Sequence, residues 1–280
     1  SFLDYPLKAK ALEHLMRRIE LNQNKSFDLI LASLSGTHKL FKRLKRKNVL
    51  YWIHNTLSEE LKKYKNSNKY NKKIKEYRKT YHSKKLIVTS EGVKNDLIKN
   101  FALESNDINV LYNFFDFENI TKQSEQNLSI PFDKKQYLIH VGRFSEQKRH
   151  DLLFEAYKKS ATNLPLVLLC SPSSSLSSLI KQYKLEKKVY IAGFQQNPYF
   201  WIKNARVLLL TSDFEGFGNV IVEALILKTP VVSTDCPSGP SEILQGPFSL
   251  GLAQKNDSED IANKINLVLN EIFCLCSILC

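Results

Sequence analysis

The chain has 280 residues, 43% of them hydrophobic, and carries a net charge of +13. That apolar content excludes global disorder and suffices for two cores, while no apolar run approaches the roughly 20 residues that a membrane-spanning helix needs. Most of the positive excess lies in the first 128 residues, in Lys42-Arg43-Leu44-Lys45-Arg46-Lys47 and between Lys62 and Lys85. Such a face attracts an anionic membrane, a nucleic acid or an anionic acceptor, unless it is simply a solvated helix surface. Five cysteines show no pairing pattern, so reduced thiols in the cytoplasm are expected. Three of them fall in the apolar tail, residues 272–280, which is too short to span a bilayer.

In chain order, a helical pattern over residues 7–21 comes first. Apolar runs predict strands over 27–32, 48–53, 85–89 and 108–112, with a helix over 91–101 after the third. His54 ends the second strand in Trp52-Ile53-His54-Asn55. Tyr64, Tyr70, Tyr77 and Tyr81 recur near helical spacing among the lysines, which predicts an inward packing stripe rather than a base-stacking platform. This half has about four strands and opens directly on a helix. A complete nucleotide-binding unit begins with a strand and a glycine-rich turn, so the N-terminus of a longer parent is expected to be absent. Residues 113–135 are polar, lack periodicity, contain Pro131 and read as a linker, which divides the chain into 1–128 and 129–280.

Beyond the linker, strands are expected over 136–141, 166–169, 189–191, 207–210 and 231–233, with helices between them and one over 149–159. Alternation of strand and helix argues for an α/β protein with parallel sheets covered on both faces. The expected fold is two Rossmann-like units facing across a cleft, the usual place for a ligand.

Three segments of the second unit carry chemistry. Gly142-Arg143-Phe144-Ser145-Glu146-Gln147-Lys148 follows its first strand. Arg143 offers a planar fork and Lys148 a point charge, and two cations at a strand-to-helix turn can hold a diphosphate from two sides. By itself this pair is a weak signal and reads more readily as surface charge. The second segment runs from Thr211 through Glu215-Gly216-Phe217-Gly218-Asn219-Val220 to Glu223. It reads as strand end, glycine loop and helix. Gly216 and Gly218 let backbone approach a ligand, and the N–H groups of a helix starting near Asn219 and Val220 favour an anion. Glu215 precedes that helix and Glu223 lies inside it. The two are therefore expected to accept hydrogen bonds from two parts of one extended ligand rather than to form one acid/base dyad. The third segment, Thr229 to Leu244, is a strand, a turn Cys236-Pro237-Ser238-Gly239-Pro240-Ser241-Glu242 and a helix start.

In this order the three segments resemble glycosyltransferase family 4, the retaining nucleotide-sugar-dependent enzymes of the two-Rossmann B fold. Val88-Thr89-Ser90-Glu91-Gly92-Val93 and Val110-Leu111-Tyr112-Asn113 are also similar to family segments. The resemblance implies that Arg143 and Lys148 bind the donor diphosphate, with Gly142 at the turn. It implies that Glu223 accepts from the ribose hydroxyls and that Glu215 contacts the transferred sugar. The N–H groups of Gly216, Phe217 and Gly218 would support sugar and phosphate. His54 would face the sugar or the acceptor, a role weighed against that of an ordinary loop histidine. With cations clamping the diphosphate and no Asp-x-Asp or His-rich cluster, metal-independent transfer with retention is expected, and no cofactor. The turn is similar to members that build bacterial lipopolysaccharide or surface polysaccharide. This implies a nucleoside-diphosphate sugar, a UDP-sugar first, as donor and a glycan or lipid-linked acceptor. It also implies a cytoplasmic location, peripheral on the inner face of the membrane through the basic half, and no nucleic acid as partner. Cys170-Ser171-Pro172-Ser173-Ser174 stands where the family often has a Gly-x-Gly loop, which leaves the base end unassigned. The competing readings are a nucleotide-sugar epimerase of the same fold and a basic nucleic-acid-binding protein.

Overall fold

A computed structural model describes residues 4–44, 46–126 and 129–278. The chain divides into two α/β units between Tyr112 and Asn113.

The first unit holds α1 (Asp4–Gln23), β1 (Ile30–Ser33), α2 (Ser35–Phe41), β2 (Val49–Ile53), α3 (Leu57–Leu61), α4 (Lys69–Tyr81), β3 (Leu86–Val88), α5 (Glu91–Phe101) and β4 (Ile108–Val110). Its strands are parallel in the order β1-β2-β3-β4. In β2, Val49, Tyr51 and Ile53 are buried and the residues between them only half-buried. α5 shows why the local sequence folds as it does. The Ser90 hydroxyl accepts from the Val93 N–H, Val93, Leu97 and Phe101 recur at helical spacing with no exposed surface, and Ala102 closes the helix in the left-handed region. The tyrosines behave as the pattern predicts. Tyr81 is buried, and Tyr64, Tyr70 and Tyr77 pack against the same core. The lysines on the other side of α4 stay in water. α1 is fastened by Arg46, which donates to Glu13 at 2.9 Å and to Glu20 at 2.8 Å.

The second unit contains α6 (Phe117–Ser124), β5 (Leu138–Val141), α7 (His150–Lys159), β6 (Leu166–Leu169), α8 (Ser174–Gln182), β7 (Val189–Ile191), α9 (Tyr199–Asn204), β8 (Val207–Leu210), α10 (Asn219–Ile226), β9 (Val231–Thr234), α11 (Pro240–Ile243), β10 (Leu252–Ala253) and α12 (Ser258–Ile278). All its strands are parallel, in the order β10-β9-β8-β5-β6-β7. Every residue of β6, β8 and β9 is buried. Continuous apolar runs such as Val207-Leu208-Leu209-Leu210 are what a sheet covered on both faces requires. α12 lays Ile261, Ile265 and Val268 into the core that also receives Leu152, Leu153 and Phe154 of α7. Strand order reverses between β5 and β8, so the loops after these two strands open side by side, at the position where such sheets bind ligands.

Two expectations are corrected. Residues 113–135 are not a plain linker, because α6 forms within them and belongs to the second unit. Asp116 caps it by accepting from the Asn119 N–H, Ile120 is buried in the core under α9 and α10, and Asn197 donates to the Gln123 carbonyl at 2.8 Å. One buried isoleucine among polar residues is too little periodicity to announce a helix, which is why this segment reads as a linker and the boundary falls after 128 instead of after Tyr112. β10 has only two residues and leaves no apolar run to find. The side chains of the tail from Ile272 to Cys280 lie outside the described residues.

Candidate active site

The site is built on the carboxyl ends of β5, β8 and β9. After β5 the chain turns at Gly142, whose N–H donates to the Leu169 carbonyl. A side chain there would meet Lys148 and His140 at 3.3 Å, so the glycine leaves room for the Lys148 stem to lie across the turn. Lys148 ends a single helical turn, Glu146–Lys148, and donates through Nζ to Glu215 Oε1 at 2.7 Å, with both side chains largely buried. Arg143, on the same turn, is exposed and has no hydrogen-bond or ion-pair partner among the described residues. One of the two cations expected at a diphosphate is thus held by the site's own carboxylate, and the other is free.

The loop after β8 is stitched to its neighbours. The Asp213 N–H donates to the Gln147 carbonyl at 2.8 Å, and the Gln147 amide returns a bond to the Phe214 carbonyl at 2.8 Å. The Thr211 hydroxyl donates to the Lys148 carbonyl at 3.0 Å. From β9, the Thr234 hydroxyl donates to the Ser212 carbonyl at 2.7 Å, and the Glu215 N–H reaches the Pro237 carbonyl at 3.1 Å. Arg149 completes the frame. It donates to Asp151, to Asp213 at 3.0 Å and to Asn256 at 2.6 Å, and the hydrogen bonds it gives to Asp151 raise its already high pKa further. Its backbone is left-handed, with φ of 49°, which turns the chain into α7 directly after Lys148.

Two glycines make the loop possible. Gly218 caps α10 at φ of 95°. Gly239, at φ of 111°, lies so close to the other loop that a Cβ would sit 1.8 Å from the Phe217 carbonyl oxygen. Both conformations belong to glycine, and the second also demands its missing side chain. Gly216 is buried, Phe217 packs against Phe115, and Val220 enters the core beneath α10. Asn219, at the exposed helix start, accepts from the Asn113 amide at 2.6 Å. Glu223 lies one turn further along α10. It is half-buried without a hydrogen-bond or ion-pair partner among the described residues, and desolvation raises its carboxyl above the ordinary carboxylate range. A carboxylate in that condition gains from any ligand hydroxyl that donates to it.

Beneath the Lys148 turn lie two buried histidines. His140 donates through Nδ1 to the Leu209 carbonyl at 2.9 Å, and its ring meets His150 with centroids 4.7 Å apart. Burial, and secondarily the Lys148 charge, pushes the His150 imidazole down to about 4, so it is neutral at pH 7. A second positive charge directly under the clamp is thereby avoided.

His54 lies in the first unit, at the carboxyl end of β2. Its Nε2 is 2.7 Å from the Ser33 hydroxyl, and its ring rests on Trp52 with centroids 4.7 Å apart. After β6, the Ser173 hydroxyl accepts from the Leu176 N–H and caps α8, so the segment that departs from a Gly-x-Gly loop still begins its helix in an ordinary way. Among the described residues no group of three His, Cys, Asp or Glu side chains is disposed to hold a metal ion, and no helix is long and apolar enough to cross a membrane.

Within the second unit, Lys148, Glu215, the glycine loop and the start of α10 thus adjoin the Gly142-Arg143 turn. Sequence reasoning misses the residues that hold this arrangement: Gln147, Arg149, Thr211, Asp213, Thr234 and Asn113. Polar residues flanking the motifs are visible in the sequence, but their partners lie tens of residues away.

Comparison with known proteins shows the family and the fold. Residues 121–272 match the family described as glycosyl transferases group 1, and residues 1–119 match glycosyltransferase family 4. The chain is 35% identical over 177 residues to N-acetylgalactosamine-N,N'-diacetylbacillosaminyl-diphospho-undecaprenol 4-alpha-N-acetylgalactosaminyltransferase of Campylobacter jejuni, covering 62% of this chain and 47% of that protein. It is 30% identical to the lipopolysaccharide 1,6-galactosyltransferase of Escherichia coli, covering 64% and 51%. Among solved structures, HepE of Anabaena in complex with UDP and glucose superposes with a TM-score of 0.73 at 20% identity, covering 95% of this chain and 74% of that one. The fold is that of the glycosyltransferase B enzymes. The chain spans about half the length of these curated relatives. The epimerase and nucleic-acid readings gain no support from these matches.

Proposed function

The chain belongs to the group 1 glycosyl transferases, and from that membership we propose that it moves a sugar from a nucleoside-diphosphate donor, a UDP-sugar, to a glycan or lipid-linked acceptor with retention. The observation that carries the reading is the arrangement around the second glycine loop. Arg143, on the loop that leads to Lys148, and Glu223, on the helix that the glycine loop begins, have no hydrogen-bond or ion-pair partner among the described residues, while Lys148 is paired with Glu215.

In this reading the diphosphate lies over the Gly142 turn and the start of α10. Arg143 binds it by its fork, and the Lys148 ammonium keeps one N–H on Glu215 and turns the others to phosphate oxygen. Glu223 accepts from the ribose hydroxyls, which relieves its desolvation. Glu215 and the N–H groups of Gly216, Phe217 and Gly218 receive the transferred sugar. As the bond from the anomeric carbon to phosphate breaks, negative charge grows on the departing diphosphate. Fixed cations and helix N–H groups stabilise that state more than the ground state and supply the electrostatic role that a divalent ion would otherwise play. The acceptor hydroxyl attacks from the face the leaving group departs from, which gives retention. His54 is the first unit's contribution toward sugar or acceptor.

The relatives named above act on a diphospho-undecaprenol-linked saccharide and on lipopolysaccharide, which supports a lipid-linked or surface-glycan acceptor here. The basic first unit then holds the protein on an anionic cytoplasmic membrane face. A thermal-shift screen of UDP-, GDP- and ADP-sugars tests the donor, since only a ligand of the folded state stabilises it. Transfer from the selected donor, measured with and without chelator, tests the chemistry. Intact binding and transfer in both Arg143→Ala and Glu223→Ala would refute the site.

A further inference from the structure

We propose that Ser33 is a positioning residue for His54: its hydroxyl donates to Nε2, so that His54 carries its proton on Nδ1 and presents that N–H as the donor. The inference extends the role suggested above for His54, but it stands on contacts internal to the first unit.

The Ser33 Oγ to His54 Nε2 distance is 2.7 Å, and either atom could carry the shared proton. The surroundings decide. The carbonyls nearest the Ser33 hydroxyl in the chain already have donors. The Ala32 carbonyl faces His38 Nε2 at 2.9 Å, and the Ser33 and Leu34 carbonyls both accept from the Thr37 hydroxyl. With those carbonyls already engaged, the acceptor at hydrogen-bond distance from the Ser33 hydroxyl is the Nε2 lone pair, and a neutral imidazole that accepts at Nε2 is protonated at Nδ1. Trp52 covers one face of the ring, and Nδ1 has no partner among the described residues. Burial holds this imidazole below its ordinary range, in keeping with a neutral ring.

The backbone beside Ser33 is itself unusual. Leu34, an exposed leucine, stands at φ of 75° and ψ of 143°, a region that side chains avoid. The Thr37 hydroxyl clasps this turn from α2, and His38 anchors it from below through Tyr81 and Ala32. These side-chain bonds hold the backbone on both sides of Ser33, and with it the place from which the hydroxyl reaches His54. An Nδ1–H donor suits a ligand oxygen that lacks a proton to give, such as a ring, glycosidic or phosphate oxygen, whereas the opposite tautomer would suit a hydroxyl donor.

Imidazole nitrogen-15 spectra of the full chain, with the His54 signals assigned through His54→Gln, test this directly. The expected native spectrum has Nε2 unprotonated and Nδ1 protonated. Ser33→Ala is expected to move the tautomer ratio toward the Nε2–H form by about fivefold, the ratio that one hydrogen bond sets, and Ser33→Thr to retain the native pattern. A native spectrum with Nε2 protonated overturns the proposal without any variant, as does an unchanged spectrum in a folded Ser33→Ala. In transfer assays Ser33→Ala should lower kcat with donor KM unchanged. If the native chain transfers nothing, the reading of its function fails while the spectra still decide the Ser33–His54 pairing.

Discussion

The two units are built from the same alternation of strand and helix, yet they spend their polar residues differently. In the second unit the charged groups at the strand ends are bound to one another. Lys148 meets Glu215, Arg149 meets Asp213, and Gln147 exchanges bonds with Asp213 and Phe214. In the first unit most of the charge lies on helix surfaces; the Arg46 pairs with Glu13 and Glu20 are drawn in to fasten α1, while others, such as Lys25 with Asp28, are exposed. Preorganised groups in a low-dielectric loop cluster can favour one charge distribution in a ligand, while surface lysines favour any anion within a Debye length. The contrast suits a donor site with fixed geometry in one unit and a less selective electrostatic surface in the other.

If this division is correct, substitutions at the loop cluster should cost far more than substitutions on the basic helices. Gly239→Ala should cost about 3 kcal/mol or more, since it adds a clash with the Phe217 carbonyl to an already forbidden backbone. A fall in melting temperature with loss of donor binding would be the sign, and a neutral result would break the account of the loops. His150 gives a pH signature. Its folded pKa lies below the unfolded value, so the unfolded chain binds more protons between about pH 4 and 6.5 and stability falls as the pH drops through that window. The full effect is about 3 kcal/mol by linkage. His150→Phe should flatten that part of the stability profile, measured by denaturant titration at several pH values.

Arg143→Ala should weaken donor binding by about 2 kcal/mol, the scale of a charge-assisted hydrogen-bond pair, with little change in melting temperature because the side chain is exposed and makes no hydrogen bond or ion pair among the described residues. Calorimetric titration would separate the two effects. Glu223 should make donor affinity pH-dependent. Its raised pKa means that it takes up a proton at a higher pH than an ordinary glutamate, and the protonated form accepts ribose hydroxyls less well. Affinity should therefore fall as pH drops through that raised value, and Glu223→Gln should be weaker but flat. At the small end, Lys72→Glu on exposed α4 should leave donor affinity within about 0.5 kcal/mol. It should, however, reduce salt-sensitive binding to vesicles rich in phosphatidylserine.

Much of the proposed donor site is legible in the sequence because its motifs are local. Gly142 to Lys148 and Glu215 to Glu223 each span one loop, and the glycines announce where backbone must turn. The fastening of the loops is not legible. Arg149 reads as one more cation in a basic run until its left-handed backbone and its partners Asp213 and Asn256 are known. The same holds for Ser33, a small polar residue in an unremarked turn that becomes informative only beside His54.

Apolar runs with a short period and helical spacing between them were enough to determine two parallel α/β units, since burying those residues leaves few alternatives for a chain of this length. Element type, the motif order and the inward tyrosine stripe followed from that. Tertiary structure alone decided that α6 joins the second unit, that Lys148 is bound to Glu215, and that Arg143 and Glu223 have no hydrogen-bond or ion-pair partner among the described residues. These facts depend on which strand ends become neighbours in the sheet order, and on how deeply each carboxylate is drawn from water. Both are set by packing between residues far apart in the chain.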